Sequence, residues 1–143
     1  MLELTYNKID VARCAQTLHD ARAGALASFE GRVRNHHLGR PVAALSYEAA
    51  PALAMREFGK IIDESKGQLA VLDVLCIHRL GHLDVGETAI WLGVLAPHRK
   101  EAFVACERIM HELKSRLPIW KNEFFSDGSE AWVDDPCGCV HPS

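Results

Sequence analysis

The hydrophobic period changes abruptly at Pro118, and this change constrains the fold more than any other feature of the chain. Across residues 98–116 apolar side chains recur at helical spacing, with Ala102, Phe103, Cys106, Ile109, Met110, Leu113 and Leu117 on one stripe. Proline lacks an N–H and its ring clashes with the preceding turn, so the helix must stop there. The residues that follow, "IWKNEFF", "SDGS" and "EAWV", read as two strands joined by a turn. A helix that feeds straight into a hairpin has to lay its apolar stripe on a sheet.

The same two periods divide the rest of the chain. Residues 8–19 have helical spacing, and "GALASFEGRVR" then alternates, with Ala25, Ala27, Phe29, Gly31 and Val33 on one face. A polar loop "NHHLGRP" precedes a strand "VAALSYE", and Pro51 is placed to open a helix reaching about Lys66. "LAVLDVLCIHRLG" and "ETAIWLGVLA" read as strands, with turn chemistry in the intervening "HLDVG". The predicted order is αββαββαββ, an α+β fold with three helices and a largely antiparallel sheet. With 143 residues and no internal linker or repeat, the expectation is one domain over 1–133, followed by a disordered tail, 134–143.

Composition narrows the function. No apolar run approaches a membrane span, and the N-terminal stretch lacks a basic segment followed by an apolar one. Three of the five cysteines, Cys14, Cys76 and Cys106, sit inside apolar patterns, which fits a reduced, cytoplasmic chain. The net charge of −3 hides an asymmetry: residues 98–121 hold six Lys/Arg against three Glu, whereas residues 122–143 hold five Asp/Glu and no Lys or Arg. A local basic cluster on an acidic chain suits a small anionic ligand better than a nucleic acid.

Lys114 and Lys121 stand on either side of the proline break. Lys114 follows Met110 by four residues and so borders the apolar stripe. On an unbroken helix the two lysines would sit about 10 Å apart, but the break lets them converge. Two close ammonium groups either depress one pKa, yielding a neutral base or nucleophile, or together clamp an anion. The plainer alternative is a helix-end lysine favoured by the macrodipole and a second one snorkelling over Trp120.

Further basic groups stand at element ends. Arg32 and Arg34 share a strand face before a Gly-containing loop, although Arg32 could simply pair with Glu30. His98 and Arg99 open the third helix, where free backbone N–H groups favour an anion. From His98 to Lys114 the helix rises about 24 Å. One small ligand cannot touch both ends, so there are either two sites or one site completed across a symmetric dimer.

The motifs "FEGRVRNHHLG", "VLCIHRLGHLDVGE", "GVLAPHRKEAF" and "LKSRLPIWKNE", taken in this order, resemble the family of large, catalytic subunits of molybdopterin synthase, the MoaE family. The resemblance spans roughly residues 5–133. It implies an α/β-hammerhead fold and a sulfurtransferase reaction. Sulfur carried as a thiocarboxylate on the C-terminal glycine of a small ubiquitin-like, MoaD-like partner would convert precursor Z, a cyclic pyranopterin monophosphate, into the molybdopterin dithiolene. It also implies a heterotetramer built on a homodimer of large subunits, and no metal or other cofactor in this chain.

Residue by residue, the resemblance makes Lys114 and Lys121 the catalytic lysines. Arg32, Val33 and Arg34 would bind substrate, with Arg34 the stronger choice. His98 and Arg99 would join from the other protomer, and Asn122 and Glu123 would continue the contact stretch after Lys121. Phe29 could wall the site but suits the core better by its alternation phase. His36 and His37 lie in a polar loop where they could contact ligand or solvent, His78 and His82 read as structural, and Cys137, Cys139 and His141 fall short of a zinc ligand set. Two rival functions are a non-catalytic module that captures a phosphorylated metabolite or ubiquitin-like tail, and a small phosphate-ester hydrolase.

Overall fold

In the computed structural model, which describes residues 1–133, the chain forms β1 (Leu2–Thr5), α1 (Val11–Thr17), β2 (Ala25–Arg32), β3 (His36–His37), β4 (Arg40–Ala49) and α2 (Pro51–Gln68). It continues through β5 (Asp73–Arg79), β6 (Gly81–Asp84), β7 (Thr88–Ala96), α3 (Arg99–Arg116), β8 (Ile119–Phe125) and β9 (Glu130–Val133). Local chemistry sets the helix ends. Asp10 caps α1 by accepting the Arg13 N–H at 3.2 Å. Pro51 supplies the first turn of α2, where its missing N–H costs nothing. Pro118 follows the last turn of α3, which closes with the Leu117 N–H on the Leu113 carbonyl.

One sheet runs β1-β5-β7-β2. The long helices α2 and α3 cover one of its faces, burying Phe58, Ile61 and Ile109 against Val74, Cys76, Leu92 and Val94. The short α1 covers the other, setting Cys14 and Leu18 against Leu75, Trp91 and Leu95. Strand β7 is therefore buried on both faces, which is why "AIWLGVLA" is apolar throughout rather than alternating. The second sheet centres on β4, which pairs with β8, β6 and β3, while β9 extends it beyond β8.

The three helices, the α+β class and the C-terminal hairpin match the reading of the sequence. Three short strands were not foreseen. β1 pairs parallel with β5, Leu2 lying opposite Cys76, so the first sheet is mixed. β6 occupies most of the segment read as a turn, and β3 lies in the segment read as a loop. Phe103, placed on the buried stripe of α3, is 67% exposed, because α3 meets β2 and β7 along a narrower band than its apolar residues cover. The expected tail lies outside the described residues.

Gly24 shows how tightly β2 is seated. Its N–H bonds to the Ala96 and Pro97 carbonyls, and a Cβ there would stand 2.3 Å from the Pro97 oxygen. Backbone cannot yield as a side chain does, so Gly24→Ala is expected to cost about 2 kcal/mol, read as a lowered urea midpoint at unchanged m.

Candidate functional site

Strand pairing brings the separated basic residues together. In the β4–β8 ladder, Tyr47 lies opposite Lys121 and Leu45 opposite Glu123, so these four side chains share one face of the second sheet. The end of β2 and the last turns of α3 close over that face. The result is an open cleft of about 380 Å³ whose lining includes Arg32, Arg34, Lys114, Lys121 and Glu123. Val33 forms part of its floor and is itself packed against Leu45 and Leu83.

The two arginines differ electrostatically. Arg32 is tied to Glu30, Nε to Oε2 at 2.7 Å, and Glu30 also accepts the Thr88 hydroxyl. The carboxyl of Glu30 is accordingly held below its ordinary value by these two bonds. Arg34 has no ion-pair partner among the described residues. A β-bulge between Gly31 and Arg32 turns the strand just where the chain enters the cleft wall.

Glu123 is the buried anion of the site, at 2% exposure. His37 Nδ1 lies 2.5 Å and Lys121 Nζ 3.6 Å from its Oε1. Neither contact is aligned as a hydrogen bond, and Oε1 has no well-aligned donor among the described residues. The carboxylate thus neutralises part of a basic cluster by charge proximity, while Arg34 and Lys114 contribute positive charge around it.

Behind the cleft lies a smaller chamber of about 30 Å³, lined by Tyr47, His78, Met110, Lys114 and Lys121 among others. That is room for about one or two waters. Tyr47 and both lysines line the chamber and the cleft alike, so they form the wall between them. Burial pushes the Tyr47 phenol up to about 12, with the Glu123 charge adding to the effect. Burial pushes the His78 imidazole down to about 4, against a backbone hydrogen bond that favours its protonation and with the Lys114 charge reinforcing the decrease.

The structure therefore gathers Arg32, Val33, Arg34, Lys114, Lys121 and Glu123 at one place. Asn122 is not among them: alternation turns it to the opposite face of β8, between Ser46 and Trp132, where it is buried and its Oδ1 has no hydrogen-bond partner among the described residues. His98 and Arg99 are exposed at the far end of α3, with His98 as its N-cap residue. Phe29 corrects the reading that put it in the core. It is 41% exposed and stands at the cleft mouth, because α3 covers Ala27 but leaves the next residue in the same phase open.

Three site residues escaped the sequence reading. Tyr47 draws no reading of its own within "VAALSYE", His37 reads as a polar-loop residue that could contact ligand or solvent, and His78 reads as structural. The β4–β8 register sets Tyr47 opposite Lys121, the β3–β4 pairing carries His37 to the same sheet, and His78 reaches the chamber from β5 beside Ile90 of β7. Among the described residues no cluster of three or more His, Cys, Asp or Glu could hold a metal ion. The cysteine–histidine segment at 137–141 lies outside them.

The chain is similar to known proteins over nearly its whole length. The family model described as "MoaE protein" matches residues 4–116. A molybdopterin synthase catalytic subunit of Pyrococcus abyssi is 42% identical over 78% of this chain and 74% of its own length. One from Oryza sativa subsp. indica is 37% identical over 90% of this chain; the match spans only 66% of the rice protein, just under two thirds. Among solved structures, the molybdopterin synthase of Staphylococcus aureus superposes with a TM-score of 0.84 at 29% identity, covering 92% of this chain and 95% of that one. A family model matched over most of the chain, the same α+β architecture and relatives of this identity have one reading: the chain belongs to the MoaE protein family.

Proposed function

We propose that this chain is the catalytic subunit of a molybdopterin synthase and acts as a sulfurtransferase, taking sulfur from a thiocarboxylated small partner to precursor Z. The observation that carries the proposal is the convergence of Lys114 and Lys121 on one cleft with Arg34 across it. Both reactants are anions, a cyclic phosphate and a thiocarboxylate, so a basic cleft draws them to the same place.

The chemistry asks for such a site. The thiocarboxylate sulfur attacks an electrophilic carbon of the pyranopterin side chain: a C–S bond forms, a C–O bond at that carbon breaks, and the departing oxygen keeps the electron pair and takes a proton. Water then cleaves the acyl–sulfur bond, leaving sulfur on the substrate and a carboxylate on the partner's terminal glycine. Negative charge is lost in the first step and reappears in the second. Cationic groups already in place stabilise these changes without reorganising. Lys114 and Lys121 hold the reacting anions and exchange protons with them, while Arg34 holds the phosphate.

A second, apolar groove of about 530 Å³ runs along β2 and α3, past Phe103, Phe29 and Met110, and ends at Lys114. It gives an extended, glycine-ended tail an approach to the lysines. The length of α3 supports a dimer: His98 and Arg99 lie about 24 Å of helix away from Lys114 and reach a cleft only if it belongs to the other protomer. Full activity from a protein that sediments as a monomer would contradict this arrangement.

The arginines give a graded prediction. Arg34→Ala is expected to raise KM for precursor Z about tenfold or more, because a charged hydrogen-bond donor is lost. Arg32→Ala should change it far less, since Glu30 already neutralises Arg32. Equal losses from the two would place the phosphate elsewhere. The proposal as a whole is tested by single-turnover reaction of the protein with precursor Z and thiocarboxylated small subunit. Formation of dithiolene product supports it. Binding of both without product makes this chain a binding module.

A further inference from the structure

His78 lines the chamber behind the cleft and belongs neither to the lysine pair nor to the anion-binding residues. It is 5% exposed, and its ring stands edge-on to Tyr47 with centroids 4.7 Å apart. Its Nδ1 lies 2.7 Å from the Arg79 carbonyl oxygen. A carbonyl can only accept, so Nδ1 carries the proton. In the neutral ring Nε2 then keeps a lone pair. A buried acceptor needs a donor, and the chamber it lines supplies lysine side chains from two elements, α3 and β8.

Four groups surround the ring. Tyr47 faces it from β4, Lys114 from α3, Lys121 from β8, and the buried Cys76 lies on its own strand. The Lys114 charge reaches both Cys76 and His78 and opposes protonation of each. A protonated imidazole here would set a third cation beside two ammonium groups in a water-poor space. A neutral one does the opposite, offering its lone pair to an ammonium.

We infer that His78 is a positioning residue of the lysine pair: fixed as the Nδ1–H tautomer by Arg79, it presents Nε2 to the chamber and accepts a hydrogen bond relayed from Lys114 through one water, holding that ammonium at the wall of the cleft. This rests on the cleft being the reaction site, but it is tested separately from it.

Lysine-selective NMR titration of the full-length protein reads the effect without any turnover. His78→Phe keeps the ring against Tyr47 and removes the acceptor. His78→Asn restores an amide near the Nδ1 position only, and His78→Gln restores one near Nε2. The Lys114 side-chain pKa is expected to fall by about one unit or more in Phe and Asn, because the charged form loses its acceptor, and to return toward wild type in Gln. Single-turnover rate should fall about tenfold or more in Phe and Asn at unchanged precursor Z affinity, with its pH profile displaced as the lysine is, and recover in part in Gln.

If Phe fails to fold, the Asn–Gln comparison decides alone. Identical lysine titrations in those two variants overturn the inference. So does the wild-type imidazole nitrogen spectrum if it shows Nε2 protonated at pH 7. Should the wild type bind its ligands and transfer no sulfur, the proposed reaction fails, while the lysine titration still decides whether His78 holds Lys114.

Discussion

Lys114→Ala and Lys121→Ala are each expected to lower the single-turnover rate of sulfur transfer about 100-fold or more, with the fold intact and the small partner still bound. The expectation follows from where the two residues stand. Lys114 projects from the last turn of α3, half-buried between the chamber and the cleft. Lys121 comes from β8, its side chain 22% exposed and its charge facing the Glu123 carboxylate. Both can bear on the same reacting anion, and neither holds the core together, so truncation removes chemistry before it removes structure. Losses should be far from additive, because the groups act on one charge: the double variant should be little slower than the worse single one. Wild-type rates in both alanine variants would move the reaction out of this cleft. Substitution by arginine should not rescue either position fully, since a guanidinium cannot give up its proton at neutral pH.

Acid should destabilise the protein in a window set by His78. The unfolded imidazole takes up its proton near pH 6.5, whereas the buried native ring resists protonation until about pH 4. Between those values the unfolded state binds more protons than the native state, so stability falls as pH falls. The gap of about 2.5 units corresponds to roughly 3 kcal/mol, lost progressively from pH 6.5 and fully lost at and below pH 4. The paired carboxylates Asp20, Glu30, Glu57, Glu64, Glu87 and Asp127 also have lowered values, and their contributions disappear at more acid pH still. The upper part of the window therefore belongs to His78. Urea unfolding at pH 7.5, 6.0 and 5.0 should show the decline in wild type and a flatter curve in His78→Gln. Parallel curves would mean that His78 accepts its proton in the fold as easily as outside it.

The helices and long strands were legible because each carries one clear period. The stripe ending at Pro118, the alternation of "GALASFEGRVR" and the run "AIWLGVLA" correspond to α3, β2 and β7. The short strands were not legible, because four residues such as "LELT" or "GHLD" are too few to express a period. They are strands because β5 and β4 offer them edges. Burial was harder still. Alternation says which residues share a face, not how far a helix covers it, so Phe29 and Phe103 were assigned to the core and stand in the open.

The site followed the same division. Lys114, Lys121 and Arg34 stood out as basic groups at element ends, but their expected roles came from the resemblance of their motifs to the MoaE family. Tyr47 and His78 could not, since the registers of β4–β8 and β5–β7 place them there, while His37 could be read only as a loop residue open to ligand or solvent. Asn122, adjacent in sequence to Lys121, lies on the other face of the strand because side chains alternate, which adjacency alone does not show.

The claim that these residues form one substrate site is tested most directly by a crystal structure of the protein with precursor Z bound. The account predicts the cyclic phosphate at Arg34 and the pterin side chain between Lys114 and Lys121, inside the cleft walled by Tyr47. Ligand bound instead in the groove between β1 and α1, or at the exposed N-terminus of α3 with the lysine cleft empty, would contradict it.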